Sequence, residues 1–297
     1  MRIGSAGISD KGKVRMDNQD SFFVDTELGL FMVADGMGGH KAGDVASQMA
    51  IETIFKAIKE NPSRNLKKPH FFKSIFLSPP PSTGVMIREA IESANQEVYE
   101  LSMRDEEKRG MGTTLVLVFL ASQGYTVANV GDSRIYRVSS DSIKQITEDH
   151  SLVREQVDKG ILTPEEARRS NLKNIITRAI GQKDTIESDI AYYPVREGDY
   201  LVLCSDGLTD LVEDHEIKEI TVDESIMLEK RVEKMVCLSN ERGGKDNITV
   251  IIVHLMQIND SKYQGFSILN PLARIMNFWY RIRSWKEYQR GMRKDTK

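Results

Sequence analysis

Apolar residues in this chain arrive in short runs that stop at an acid beside a glycine, and this pattern limits the fold more than any other feature. Leu30-Phe31-Met32-Val33-Ala34 is such a run; it ends at Asp35, with Gly36, Gly38 and Gly39 close behind. A short apolar stretch with a β-branched and an aromatic residue, closed by glycine, fits a strand inside a sheet better than a helix. The design recurs in DYLVLCSDG, residues 199–207, which stops at Asp206-Gly207. Turn chemistry favours Asp-Gly wherever it occurs, so one copy by itself reads as a turn. Two strands that each end this way suggest two carboxylates converging on one centre, with glycines that let the backbone approach a ligand.

Taken in order, residues 3–8 suit a first strand and SFFVD a second, with Asp20 at its start and Arg15, Asn18 and Gln19 in the loop before it. A helix is predicted from about Ala42 to Lys59, where Val45, Met49, Ile51, Ile54, Phe55 and Ile58 recur at helical spacing. The proline-rich stretch 61–84 reads as a long irregular connection, followed by a second helix over about Val85–Met103. TTLVLVFLA, GYTVANVGD, SRIYRV and SIKQI then suggest an antiparallel meander with Asp132 in one turn. Residues 147–182 are polar and partly helical, Thr163-Pro164-Glu165-Glu166 resembling a helix start. A strand near Ile186–Tyr193, the Asp206 strand, helices over Asp214–Ile220 and Glu224–Asn240, and a last strand opened by Asp246 and Asn247 complete the pattern. Strands in two clusters, with helices between and after them, suggest sheet-on-sheet packing with helices outside.

The net charge of −3 argues against a generally nucleic-acid-binding surface. The runs Leu115–Ala121 and Ile248–Met256 fall short of the roughly 20 residues that a membrane-spanning helix needs. No cleaved signal segment is evident, and a cytoplasmic protein is expected. Cys204 and Cys237 are expected to be small core residues.

Asp20, Asp35, Asp132, Asp206 and Asp246 all stand at strand ends. Several carboxylates cannot ionise comfortably at close range, and divalent cations resolve that conflict. An all-oxygen donor set without a Cys or His cluster favours Mg²⁺ or Mn²⁺. A pair of such ions lowers the pKa of a shared water for attack on phosphorus, and a phosphoryl group is best gripped by an arginine fork.

RMDNQD (Arg15–Asp20), VADGMGG (Val33–Gly39), GMGTT (Gly110–Thr114), ANVGDSR (Ala128–Arg134), CSDGL (Cys204–Leu208) and GGKDNITV (Gly243–Val250) occur in this order. In these pieces the chain resembles the type-2C metal-dependent serine/threonine protein phosphatases, the PPM family, particularly its bacterial-type members. The resemblance implies an α+β fold, two antiparallel β-sheets packed as a sandwich and flanked by helices in four α-β-β-α layers. It also implies that Asp35 bridges two metals, Mn²⁺ or Mg²⁺, and that the Gly36 carbonyl reaches one of them. Asp206 and Asp246 would be the other direct ligands of the first metal, Asp20 would hold metal-bound waters, and Arg15 would grip the substrate phosphate. Asp132 with Asp206 would form a third, weaker metal site seen in some members, and 147–182 would be a flap implicated in substrate choice. The expected catalytic set is therefore Arg15, Asp20 and Asp35.

Two positions depart from the eukaryotic pattern. Gln19 stands where many relatives carry Glu, and Met37 where a histidine is proposed to protonate the leaving group; a metal-held water or His40 are the substitutes in view. Asn247 is expected to tie down its turn rather than bind metal. The expected activity is hydrolysis of phosphoserine and phosphothreonine in proteins, a serine/threonine kinase among the substrates; the competing reading is a catalytically weak regulatory module that binds phosphopeptides.

Residues 1–257 would form the phosphatase domain and 258–297 a separate tail. The tail carries nine Lys or Arg against three acids, a net +6 that leaves −9 for the rest. Leu272, Ile275, Met276, Trp279 and Ile282 recur at helical spacing, so a basic amphipathic helix is expected. Packing on the domain or disorder ranks ahead of docking to a partner, and contact with an anionic membrane comes last.

Overall fold

The central strands of each sheet read as nearly unbroken apolar runs because both of their faces are covered. In the computed structural model, which describes residues 2–39, 42–61, 81–121 and 124–257, eleven strands form two antiparallel sheets. The first sheet joins β1 (Arg2–Asp10), β11 (Ile248–Gln257), β10 (Tyr200–Cys204), β7 (Arg134–Val138) and β8 (Ile143–Gln145) in that order. The second joins β2 (Asp20–Asp25), β3 (Leu30–Met37), β5 (Leu115–Leu120), β6 (Gly124–Val130) and β9 (Asp189–Pro194), and the short β4 (Gly112–Thr113) pairs with the end of β3.

Side chains alternate between two apolar layers, as the period of two in a strand requires. Phe31, Val33, Val116 and Val118 meet Leu201, Leu203, Ile251 and Val253 between the sheets. Leu30, Met32, Ala34, Leu115 and Leu117 face the other way, onto α1 (Ala42–Glu60) and α2 (Pro81–Arg104), where they meet Ala46, Ala50, Ile54, Ile87 and Ile91. Val202, Cys204, Val250 and Ile252 pack outward on α6 (Asp214–Thr221) and α7 (Leu228–Glu241) through Ile217, Ile220, Val232, Met235 and Val236. Each fully buried side chain of this size contributes about 1.5–3 kcal/mol. The result is the expected four layers, α-β-β-α, and among the described residues no helix is long and apolar enough to cross a membrane.

Several local expectations differ from what forms. The four strands after Thr113 are two hairpins in different sheets: β5 pairs with β6, β7 pairs with β8, and the chain changes sheet at Gly131-Asp132. Helix α2 begins at Pro81 rather than Val85, using proline's tolerance in a first helical turn. Cys204 is buried as expected, whereas Cys237 is exposed, because the buried stripe of α7 runs through Arg231, Val232, Met235, Val236 and Ser239 and leaves position 237 outside it. Between 147 and 182 the chain forms α3 (Leu152–Asp158) and α4 (Pro164–Arg169), the latter closed by the full Thr163–Glu166 capping box. His40, the bulk of the irregular connection and the helix expected in 258–297 lie outside the described residues.

Candidate active site

The acids gather where strand ends of the two sheets adjoin. Asp35 stands near the end of β3, directly across from Asp20 at the start of β2. Its backbone is clamped by the threonine pair that closes GMGTT. The Asp35 carbonyl accepts from Thr114 N–H and Thr113 Oγ1, both at 2.9 Å, and its N–H donates to Thr114 Oγ1 at 2.9 Å. Gly36 follows because nothing larger fits: a Cβ there would lie 2.1 Å from the Gly43 carbonyl oxygen and 2.5 Å from that of Gln19.

Asp20 ties the second sheet to the first. Its Oδ2 accepts from Ser205 Oγ at 2.8 Å and from Thr249 Oγ1 at 2.7 Å, while Thr249 N–H donates to Ser205 Oγ at 3.0 Å. Asn247 performs the expected tying and extends it beyond its own turn. Its Oδ1 accepts from Gln19 N–H at 2.8 Å, and its Nδ2 donates to the carbonyls of Lys11 and Asp17 at 2.9 and 3.0 Å. It thereby holds both ends of the loop that carries Arg15. Arg15 remains exposed, and its Nη2 donates to Asp246 Oδ2 at 2.6 Å. Asp206 opens the one-turn helix α5 (Asp206–Thr209), and Asp132 lies buried at the crossing between sheets.

Electrostatics show what this assembly lacks. The Asp35 carboxyl is pushed well above the usual range by desolvation and then by Asp20, Asp206, Asp132 and Asp246. Asp206 is pushed up in the same way, by desolvation and then chiefly by Asp132 and Asp246. Burial lifts Asp20 to about 6 against the hydroxyls that stabilise its charge, and lifts Asp132 to about 6 with Asp149 adding to the effect. One oxygen each of Asp20, Asp132 and Asp206 is buried without a hydrogen-bond partner. Orphaned carboxylate oxygens pointing into a cluster of like charge suit hard divalent cations, which take oxygen donors and retain waters. Among the described residues no three His, Cys, Asp or Glu side chains close tightly enough to cage an ion unaided. The fit to such ions rests on the orphaned oxygens and on the all-oxygen donor set.

The structure thus brings Arg15, Asp20, Asp35, Gly36, Asp132, Asp206 and Asp246 to one end of the sandwich. Ser205, Thr249, Thr113, Thr114 and Ser133 complete the seat without having been singled out individually from the sequence; the GMGTT, ANVGDSR, CSDGL and GGKDNITV segments were the signal that contained them. Met37 is half-buried at the end of β3 and pairs with Gly112.

A two-sheet sandwich with an aspartate-lined end and an arginine at its rim is the framework of a metal-dependent phosphatase. Comparison with known proteins makes the class specific. The chain belongs to the protein phosphatase 2C family, whose profile matches residues 10–245, and it is a serine/threonine protein phosphatase. It is 37% identical over 254 residues to the serine/threonine phosphatase stp of Listeria innocua, covering 84% of this chain and 95% of that protein. It is 38% identical over 251 residues to the protein phosphatase PhpP of Streptococcus pneumoniae, covering 84% and 96%. The solved structure of Stp1 from Staphylococcus aureus superposes with a TM-score of 0.76 at 33% identity, over 86% of this chain and 96% of that one. The catalytic domain of PstP, solved in complex with two manganese ions, superposes with a TM-score of 0.71 at 31% identity, over 86% and 99%.

Proposed function

We propose that this end of the sandwich is a two-metal phosphohydrolase centre, and that the observation which carries the reading is the set of buried, unpartnered oxygens on Asp20, Asp132 and Asp206. Asp35 would bridge the two ions and the Gly36 carbonyl would reach one of them. Asp206 and Asp246 would help hold the first, Asp20 would hold metal-bound waters in the orientation that Ser205 and Thr249 give it, and Asp132 with Asp206 would hold a third. Mn²⁺ and Mg²⁺ are the ions that this oxygen set suits. Bound there, they would offset the charge of the acids and supply a water of lowered pKa for attack on phosphorus.

The rest of the work falls to the chain. Arg15 leaves Asp246 and turns its planar fork to the phosphate, the geometry for which guanidinium is suited. The Asn247 clamp keeps that loop in place while the arginine changes partner. With Met37 apolar, position 37 supplies no proton to the departing serine or threonine oxygen. The flap, residues 147–182, borders the centre through the Lys173–Asp210 ion pair at 2.7 Å and is proposed to select among phosphoprotein substrates. A phosphorylated serine/threonine kinase is one substrate that the family resemblance leads us to expect.

Hydrolysis of an aryl phosphate in Mn²⁺ should be abolished by EDTA and should fall by about a hundredfold or more in Asp35→Asn and in Asp246→Asn, the scale of losing a main charge-stabilising contact. Normal turnover in either variant would sink the mechanism.

A further inference from the structure

His150 is a buried histidine outside the acid cluster that the phosphatase reading leaves unused. It stands at the root of the flap, where Thr177 N–H donates to its carbonyl at 2.8 Å, and against the turn at which the chain changes sheet. Both backbone groups of Gly131 are engaged by this one residue. Gly131 N–H donates to His150 Nδ1 at 3.1 Å, and His150 N–H donates to the Gly131 carbonyl at 2.9 Å.

The first of these bonds assigns the tautomer. A ring nitrogen that accepts carries no proton, so in the neutral ring the proton is on Nε2. Nε2 lies 3.2 Å from Asp189 Oδ2 and donates to it. Arg178 Nη1, 3.3 Å from Nε2, has no lone pair to meet there and donates to Asp189 Oδ1 at 3.0 Å. Asp189 and Arg178 thus hold the imidazole from behind while Nδ1 faces Gly131. The next residue is Asp132, with one buried oxygen lacking a partner. From the other side, Ser133 Oγ is fixed against Thr114 Oγ1 at 2.7 Å.

We propose that His150 is a positioning residue: through Nδ1 and Gly131 it sets where Asp132 presents its carboxylate, and so tunes the weakest of the metal sites. The proposal rests on the reading of Asp132 as a metal ligand. It has the form of an outer partner that orients a ligand, for which loss costs about 10–100-fold in metal affinity.

Asparagine and glutamine divide the two ends of the ring. In His150→Asn an amide oxygen takes the place of Nδ1 and keeps the acceptor for Gly131; in His150→Gln the amide replaces Nε2 and keeps only the Asp189 contact. Calorimetric titration of the full chain with Mn²⁺ reads the result without turnover. H150Q should weaken, by about 10–100-fold, the same ion that Asp132→Asn loses, while H150N stays near the unaltered chain. Equal loss in both variants, loss in H150N alone, or loss in neither overturns the proposal. If D132N itself binds every ion as before, the metal reading of Asp132 falls, and the proposal falls with it. The ¹⁵N spectrum of the unaltered protein's imidazole needs no variant to fold: it should show the Nε2–H form for His150, and an Nδ1–H form overturns the assignment.

Discussion

Two arginine–aspartate pairs border the acid cluster, and they are built differently. Arg134 and Asp149 are largely buried and bound several times over. Nε reaches both carboxylate oxygens at 3.0 Å, Nη2 reaches Oδ2 at 2.6 Å, Nη1 donates to Tyr136 OH at 3.2 Å, and Gln145 adds a bond to Asp149 at 2.7 Å. Arg15 and Asp246 share one contact of 2.6 Å, and the arginine side chain is 57% exposed. The first pair closes the seam where β7 meets the approach to the flap, and it has no reason to open. The second joins two residues that each have another partner in the proposed mechanism, phosphate for one and metal for the other. A single exposed bond is what lets them separate; the same two residue types hold a shape in one place and hold a position in reserve in the other.

Removing each arginine in turn should separate the two roles. Arg134→Ala leaves Asp149 largely buried without its cation, which should cost about 2–3 kcal/mol of stability, short of the fully buried case because the pair keeps some solvent contact. Arg134→Lys should recover little, since an ammonium cannot reproduce the fork. Denaturant unfolding of the metal-free proteins measures both, and an unchanged midpoint would contradict the structural role. Arg15→Ala should do the opposite. Its unfolding free energy should stay within about 1 kcal/mol, as for exposed pairs, whereas kcat/KM on a phosphopeptide should fall by about 10–100-fold for the loss of a charged hydrogen bond. With Asp246 released, Mn²⁺ should bind at least as tightly as before. A large loss of stability in Arg15→Ala would make the two pairs equivalent.

The difference between the pairs bears on what can be read in a sequence. Asp35 and Asp206 were visible because each ends an apolar strand at a glycine, a local pattern. Sheet-on-sheet packing with helices outside was visible from strand and helix grouping, whereas the four α-β-β-α layers were implied by the family resemblance. Ser205 and Thr249 were not visible as individual residues, because their bond to Asp20 joins positions 185 and 229 residues away, and no periodicity records such a contact. The sheet change at Gly131-Asp132 was missed for a related reason. A tight glycine–aspartate turn looks alike whether it returns a strand to its neighbour or sends it across the sandwich, and burial of both sheet faces removes the alternation that would tell one sheet from the other. Cys237 shows the same limit in a helix: apolar residues over α7 suggest burial, but the facing stripe includes Arg231, whose guanidinium bonds the carbonyls of Ile226 and Thr221.

A third pair lies between these two in exposure, its arginine and glutamate side chains 38% and 20% exposed. Arg242 follows α7 and meets Glu216 of α6 in a two-pronged contact, Nη1 to Oε2 and Nη2 to Oε1, both at 2.6 Å. The hydrogen bonds from Arg242 hold the Glu216 carboxyl down from 4.5 to about 2. A depressed carboxylate stabilises the fold above its unfolded pKa, and that contribution is lost as pH falls through the folded value. The melting temperature of the unaltered chain should therefore exceed that of Arg242→Ala by a small margin at neutral pH. The margin should shrink as pH falls from 4.5 toward about 2, and it should narrow with added salt, because both groups keep contact with solvent. A margin as large as that of Arg134→Ala would show that the two-pronged contact makes such a pair structural at this partial exposure too; a margin that ignored pH would show that Arg242 acts through its bond to the Leu211 carbonyl at 2.8 Å instead.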